Sequence, residues 1–286
     1  MRWWHLQAAL LVLVLLLPGM AQARTKLKHV HHGPITVEMR FDPREGQAEP
    51  DIPPVVTVFY LKKKVARLVL DGSVGKPDVH VVQLDPANRA KEVVVVGYSG
   101  GAHCCADIRV VTALPRRETR RWKVVPLGDG FDGGIDEVRD LDGDGLAELR
   151  LKDDHFLYAY ECYACSYAPP LILSVRNGRK VNLTRRKSFR PLLRAEAEEI
   201  RRRILEVRNS DGITPNGLLA GYVAVETMLG NGPAAWRFML KHHTPQPMTY
   251  CPLPNPKGGK CPVPEMEIPY PLHLSIFLRE RGYIRP

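Results

Sequence analysis

The sequence predicts an α+β protein, with a mainly β domain over residues 24–184 and a helical module over residues 185–286. Two patterns carry that prediction. From residue 34 to about 184 the chain consists of short β-branched runs separated by Gly, Asp, Asn and Pro, which reads as strands and turns. After Thr184 the apolar period lengthens. Leu193, Ala197, Ile200, Ile204 and Val207 are spaced four, three, four and three apart and so share one helical face. The composition is that of a globular chain: 286 residues, 44% hydrophobic and 25% charged, enough to bury a sizeable core and not the profile of a disordered protein.

The first 23 residues read as a cleaved export signal. Arg2 supplies the positive end, residues 8–17 form an apolar core, and Pro18-Gly19 break the helix. Ala21-Gln22-Ala23 offers small side chains at the cleavage point. The apolar core is too short for a transmembrane span, and no cysteine follows to accept a lipid. A periplasmic or secreted location is expected.

In the β domain the expected strands cover residues 35–41, 55–61, 65–70, 79–84, 92–98, 108–114, 122–127, 148–151, 156–160 and 171–175. A weak internal repeat of roughly 57 residues runs through them, as in propeller-like blades. Leu84-Asp85 before Glu92 recurs as Leu141-Asp142 before Glu148. Cys104-Cys105 recurs approximately as Cys162 and Cys165, and Trp122-Lys123-Val124 as Arg179-Lys180-Val181. The two units, about 79–127 and 136–184, would each be a small antiparallel sheet. Two are too few to close a propeller unless residues 35–70 supply divergent blades.

Export places the six cysteines in an oxidising compartment, where an even number reads as disulfides. Locality favours Cys251 with Cys261. Cys104, Cys105, Cys162 and Cys165 would pair among themselves, in an order the spacing leaves open, and could staple one unit to the next. Zinc on His103, Cys104 and Cys105 with the distant Cys-x-x-Cys is the rival reading, against the usual spacing.

In the helical module, Glu198 to Arg202 and Glu199 to Arg203 are favourable i,i+4 pairs. Thr214 is the expected N-cap of a second helix that starts at Pro215 and is closed by Gly230. Pro233 opens a third helix, which runs through Trp236 to Lys241. Nine prolines between residues 245 and 271 mark a loop, and a last helix covers about 272–281, stopped by Gly282.

The most specific motif is Asp140-Leu141-Asp142-Gly143-Asp144-Gly145-Leu146-Ala147-Glu148. Carboxylates at positions 1, 3, 5 and 9, with the Leu146 carbonyl at position 7, can turn inward on one hard cation. Acids this close repel one another unless an ion neutralises them. A flexible cage of protein oxygens suits Ca²⁺ better than Mg²⁺. An EF-hand requires a bidentate Glu at position twelve, where this chain has Leu151.

These residues resemble the FG-GAP (integrin-α-like, VCBS-type) repeat, in which such a loop between blade strands binds calcium. The resemblance implies Asp140, Asp142, Asp144, the Leu146 carbonyl and Glu148 as ligands, with Glu148 where the family usually has Asp. The upstream loop, with Asp85, Asn88 and Glu92, has lost most of the acids, so no ion is expected there. The whole chain looks like exported bacterial proteins that join such repeats to a helical tail.

Other candidates are weaker. Asp129, Asp132, Asp136 and Glu137 read as a solvated Gly-rich turn, and His29, His31 and His32 lack a fourth metal ligand at a useful spacing. No G-x-S-x-G, H-E-x-x-H or phosphate-binding Gly loop is present, so no catalytic residue is assigned. The net charge of +10 is concentrated after residue 184, where sixteen basic side chains face nine acidic ones. An exported chain without a reading motif is a poor nucleic-acid binder, and an anionic envelope surface or an envelope protein is the expected partner. The function read from the sequence is a calcium-stabilised, non-catalytic binding or scaffold role at the cell envelope. The alternative is an envelope hydrolase with its site between the β domain and the helices, using acids such as Asp132 and Asp136.

Overall fold

The computed structural model describes residues 25–43, 52–101, 105–115, 121–207, 214–253 and 260–284. The expected export signal, His103 and Cys104 lie outside them. Twelve strands form three four-stranded antiparallel sheets, each a meander in chain order. The first contains β1 (Lys26–His32), β2 (Ile35–Phe41), β3 (Val55–Tyr60) and β4 (Lys63–Val69). The second contains β5 (Asp78–Val82), β6 (Glu92–Tyr98), β7 (Ala106–Ala113) and β8 (Trp122–Phe131). The third contains β9 (Glu137–Arg139), β10 (Glu148–Lys152), β11 (Pro170–Arg176) and β12 (Arg179–Asn182).

Period-2 alternation explains why the sheets stack. On β6 and β7, Val93, Val95 and Val111 pack with Ile35, Val37, Val56 and Val58 of the first sheet. Val94, Ile108 and Val110 point the other way, onto Leu149, Leu151, Leu173 and Val175 of the third. The middle sheet is thus covered on both faces, and β6 is buried from Glu92 to Val95, with Val96 half-buried. Each fully buried Val or Leu contributes about 1.5–3 kcal/mol, and a one-residue slip of β6 would exchange its two faces.

The outer face of the third sheet, through Ile172 and Leu183, packs on Phe189 at the start of the helical module. The module comprises α1 (Arg190–Val207), α2 (Asn216–Leu229), α3 (Gly232–His242) and α4 (Tyr270–Glu280). The expected stripe of α1 faces inward, with Leu193, Ala197, Ile200 and Ile204 buried. α2 is buried from Asn216 to Val225, as its apolar sequence requires of a central helix. Gly230 ends it in the left-handed conformation, at φ 94°. Among the described residues, no helix is long and apolar enough to cross a membrane.

Several expectations need correction. Residues 156–160 are not a strand. They follow a single 3₁₀ turn, Asp154–Phe156, and bury Phe156 and Tyr160 in the helical core beside Tyr270 and Phe277. Tertiary packing of aromatic rings overrides their β propensity. β1 was missed because an exposed edge strand, rich in Lys and His, carries no apolar alternation. The Pro-rich loop holds a hairpin, β13 (Pro247–Tyr250) with β14 (Met266–Pro269), where a two-stranded ribbon tolerates proline. Thr214 is not the N-cap residue of α2, a position that Pro215 takes; the Thr214 hydroxyl donates to Glu161 and accepts the Asn216 N–H at a long 3.5 Å. Arg202 pairs with Glu199 and Glu206 rather than Glu198, and Arg203 turns away from Glu199 to the Ala164 carbonyl oxygen.

The cysteines also pair differently from a staple between units. Cys162 is bonded to Cys165 within one loop, whereas Cys251 is bonded to Cys261 as locality predicts. Cys105 is disulfide-bonded, and no described cysteine is free. The second and third sheets are joined instead by interleaved apolar side chains and by hydrogen bonds such as Ala147 N–H to the Gln83 carbonyl, 2.8 Å.

Candidate metal centre

The acidic loop connects β9 to β10, and the sequence folds it tightly for identifiable reasons. Asp140 accepts the Gly143 N–H on Oδ1 at 2.7 Å and the Gly145 N–H on Oδ2 at 2.8 Å. Asp142 accepts from Asp144 N–H at 3.3 Å, and Asp144 from Leu146 N–H at 2.9 Å. Gly143 and Gly145 sit at φ 83° and 86°, a region that residues with a Cβ avoid. The bonds from Gly145 and Gly143 hold the Asp140 carboxyl below the usual Asp range.

The loop and the start of β10 bring Asp140, Asp142 and Glu148 together, with one carboxylate oxygen of each within 4.8 Å of the others. Glu148 is 1% exposed. Its Oε2 accepts the Leu141 N–H at 3.0 Å. Its Oε1 is buried and has no hydrogen-bond donor among the described residues. The nearest cation, the Arg176 guanidinium, stands 3.9 Å away. Burial, reinforced by the charges of Asp142, Asp144 and Asp140, pushes Glu148 above the usual Glu range. Asp144 is exposed and stands outside the converged set, with its Oδ1 accepting the Leu146 N–H.

The equivalent position of the second sheet answers the same problem with protein atoms. Glu92, at the start of β6, is fully buried and accepts on Oε2 from Leu84 N–H at 2.7 Å and Asp85 N–H at 3.2 Å. On Oε1 it accepts the Asn88 side-chain N–H at 2.8 Å and the Thr112 hydroxyl at 3.1 Å. Both glutamates open the second strand of a meander and accept from the leucine of the preceding loop. In one unit the remaining oxygen meets an amide and a hydroxyl. In the other it has no hydrogen-bond donor among the described residues, and the carboxylate converges with two aspartates.

The upstream acids are dispersed. Glu137 pairs with Arg139 and Arg150, both at 2.6 Å, and Asp136 with Lys152 at 3.2 Å. Asp132 is buried and accepts the Tyr163 hydroxyl, a bond that pushes Tyr163 up to about 12. Asp132 and Asp136 do line a cleft of about 240 Å³ between the third sheet and α1, together with Arg150, Glu196 and Arg203. Sequence reasoning overlooked Asp153, Asp154 and His155, which also cluster. Their carboxylates already have partners: Asp153 takes the Tyr283 hydroxyl at 2.9 Å and His155 at 2.8 Å, and Asp154 takes the Asp132 N–H at 3.2 Å. His29 and His31 stack on the outer face of β1, and His32 turns to Lys91. Of the basic side chains of the module, Arg201 lies over Phe238 and Arg185 binds the carbonyls of Gly282 and Tyr283.

Comparison with known proteins gives a consistent kinship. The sll0997 C-terminal domain family matches residues 193–282. The chain is 33% identical over 237 residues to the "Probable thylakoid lumen protein sll0997" of Synechocystis sp., covering 81% of this chain and 68% of that protein. It is 29% identical over 244 residues to the "Uncharacterized protein y4bJ" of Sinorhizobium fredii, covering 82% of this chain and 37% of that protein. The chain thus spans little more than a third of the second relative's length. No solved structure matches it.

Proposed function

The chain belongs to the family of the probable thylakoid lumen protein sll0997, and on that premise we propose that it is an exported, calcium-stabilised binding or scaffold protein of the cell envelope. The relative's name places it in a lumen reached by export, which agrees with the signal-like first 23 residues of this chain. The β9–β10 loop is read as an FG-GAP-type calcium loop. One observation carries this reading: a buried glutamate, Glu148, whose Oε1 has no hydrogen-bond donor among the described residues and whose carboxylate converges with those of Asp140 and Asp142.

An all-oxygen donor set on a Gly-hinged loop fits a hard cation of the size of Ca²⁺. Asp140, Asp142 and Glu148 would hold it, with Asp144 and the Leu146 carbonyl as further donors. The ion would supply charge neutralisation only. It would lock the β9–β10 loop against the second sheet, where Ala147 already binds Gln83. Exposed Arg186, Lys187 and Arg194 leave an anionic envelope surface as the partner chemistry of the helical module.

Titration calorimetry with Ca²⁺ after chelation tests the metal. Binding that disappears in Asp142→Ala is expected; no binding by the unaltered chain would sink the proposal. The second reading, an envelope hydrolase, is favoured by the cleft that holds Asp132 and Asp136. Turnover of peptidoglycan or peptide substrates, lost in Asp136→Asn, is the result that would replace a binding role with a catalytic one.

A further inference from the structure

The geometry points to a thiol–disulfide exchange centre at Cys162-Tyr163-Ala164-Cys165, whose substrate is a protein carrying a pair of thiols. This goes beyond the calcium-bound scaffold and shares no residue with it.

The two bridges whose partners are both described differ in kind. Cys251 and Cys261 are ten residues apart in the Pro-rich hairpin, a separation suited to a structural clip. Cys162 and Cys165 close a Cys-x-x-Cys loop, the spacing in which one sulfur can serve as attacking and the other as resolving group. Cys162 is exposed and Cys165 is half-buried, so an incoming thiolate meets Cys162 first. The Cys165 N–H donates to Cys162 Sγ at 3.2 Å. In the reduced state that donor faces the Cys162 sulfur and favours its anionic form, the form that reacts.

The loop is held independently of its disulfide. The Ser166 hydroxyl donates to the Cys162 carbonyl at 2.9 Å. On α2, a Cβ added at Gly217 would lie 2.7 Å from the Cys165 carbonyl oxygen, and one at Gly221 would lie 2.6 Å from that of Tyr167. Helix and loop backbones therefore touch directly, and opening the S–S bond leaves those contacts in place. Arg203 donates to the Ala164 carbonyl at 3.3 Å and lies 6.0 Å from the centre of the Tyr167 ring, which fixes a positive charge on the loop. Tyr163 and Ala164, the two residues between the cysteines, line the 240 Å³ cleft.

The exchange balances without a further oxidant. A partner thiolate attacks Cys162 Sγ, a partner–Cys162 bond forms, and the Cys162–Cys165 bond breaks with Cys165 leaving as thiolate. The partner's second thiolate then attacks the partner sulfur of the mixed disulfide, and Cys162 leaves. Two electrons pass from the partner dithiol to this chain's disulfide. The two protons lost by the partner are those taken up by Cys162 and Cys165.

The test is equilibration of the full exported chain in glutathione buffers, followed by alkylation, peptide mass analysis and circular dichroism. The expected result is reduction of Cys162–Cys165 with Cys251–Cys261 intact and the fold unchanged, and alkylation of Cys162 about tenfold faster than of Cys165. Cys165→Ser should accumulate a glutathione adduct on Cys162, which Cys162→Ser cannot form. Reduction that occurs only with loss of the circular dichroism signal, or equal alkylation of the two thiols, would overturn the assignment. Both readouts come from the unaltered chain, so they hold even if a variant fails to fold.

Discussion

Asp85 Oδ2 accepts the backbone N–H of Asn177 at 2.5 Å, tying the β5–β6 loop of the second sheet to the β11–β12 turn of the third. Asp85 is 1% exposed, and its Oδ1 takes the Ala87 N–H at 3.0 Å. Asn177 stands at φ 51°, so the turn presents its N–H rather than a side chain. The acid that survives in the upstream loop has thus become a clamp between sheets. Asp85→Ala strands the Asn177 N–H and is expected to cost about 1–3 kcal/mol of unfolding free energy in urea titration. An unchanged midpoint would mean that apolar interleaving alone joins the sheets.

Asn88 donates to Glu92, Thr112 and the Ala113 carbonyl, and so fills the space between loop and sheet. Asn88→Ala leaves a fully buried carboxylate short of a donor, with an expected loss of about 2–3 kcal/mol. Calcium should not restore it, because the other carboxylate of this loop, Asp85, is already bound to the Ala87 and Asn177 N–H groups.

Burial dominates at Glu92 and raises it above the usual Glu range, against the opposing hydrogen bonds from Asn88, Leu84, Asp85 and Thr112. The folded chain therefore holds this proton more tightly than the unfolded one. The corresponding stability is fully present below the ordinary Glu value of about 4.3 and is lost as pH rises through the raised one. Unfolding free energies measured across that window should fall with pH, and Glu92→Gln should remove this contribution to the slope.

Glu148→Gln separates the calcium reading from a merely buried acid. Without the ion, Gln keeps an acceptor for Leu141 N–H and relieves repulsion from Asp140 and Asp142. The variant should therefore be about 1–2 kcal/mol more stable than the unaltered chain in chelator. With calcium the order should reverse. Thermal melts of both proteins, with and without the ion, give the four numbers; a variant less stable in chelator would contradict the account of Oε1.

Gly217→Ala places a methyl group against the Cys165 carbonyl oxygen and Glu161 Cβ, the latter at 2.9 Å. Neither neighbour is the free end of a side chain, so strain of about 1–3 kcal/mol is expected by denaturant titration. Gly143→Ala strains a loop with no neighbour within 4 Å of the new Cβ, and should act through φ alone.

Much of the architecture was legible in the residues themselves. The bounds of β2 and β6, the inward face of α1 and the Gly230 stop follow from apolar period and local conformation. The correspondence of Glu92 with Glu148 was readable from the Leu-Asp pairs that precede them, and both glutamates accept from those leucines. Three things were not legible. β1 has no apolar alternation, Phe156 and Tyr160 look like strand residues, and a Cys-x-x-Cys does not announce whether it pairs with itself.

The sequence by itself determined which residues face inward and which loops turn, because period and positive φ are properties of a few neighbouring residues. Only the tertiary structure decided what covers each face, and hence that the middle sheet is buried on both sides. It also decided that Glu148, rather than Asp144, is the acid taken out of water, and that Cys162 closes on Cys165. Those outcomes depend on contacts between segments far apart in the chain, such as β10 against β6 and the Cys-x-x-Cys loop against α2. No local pattern encodes them.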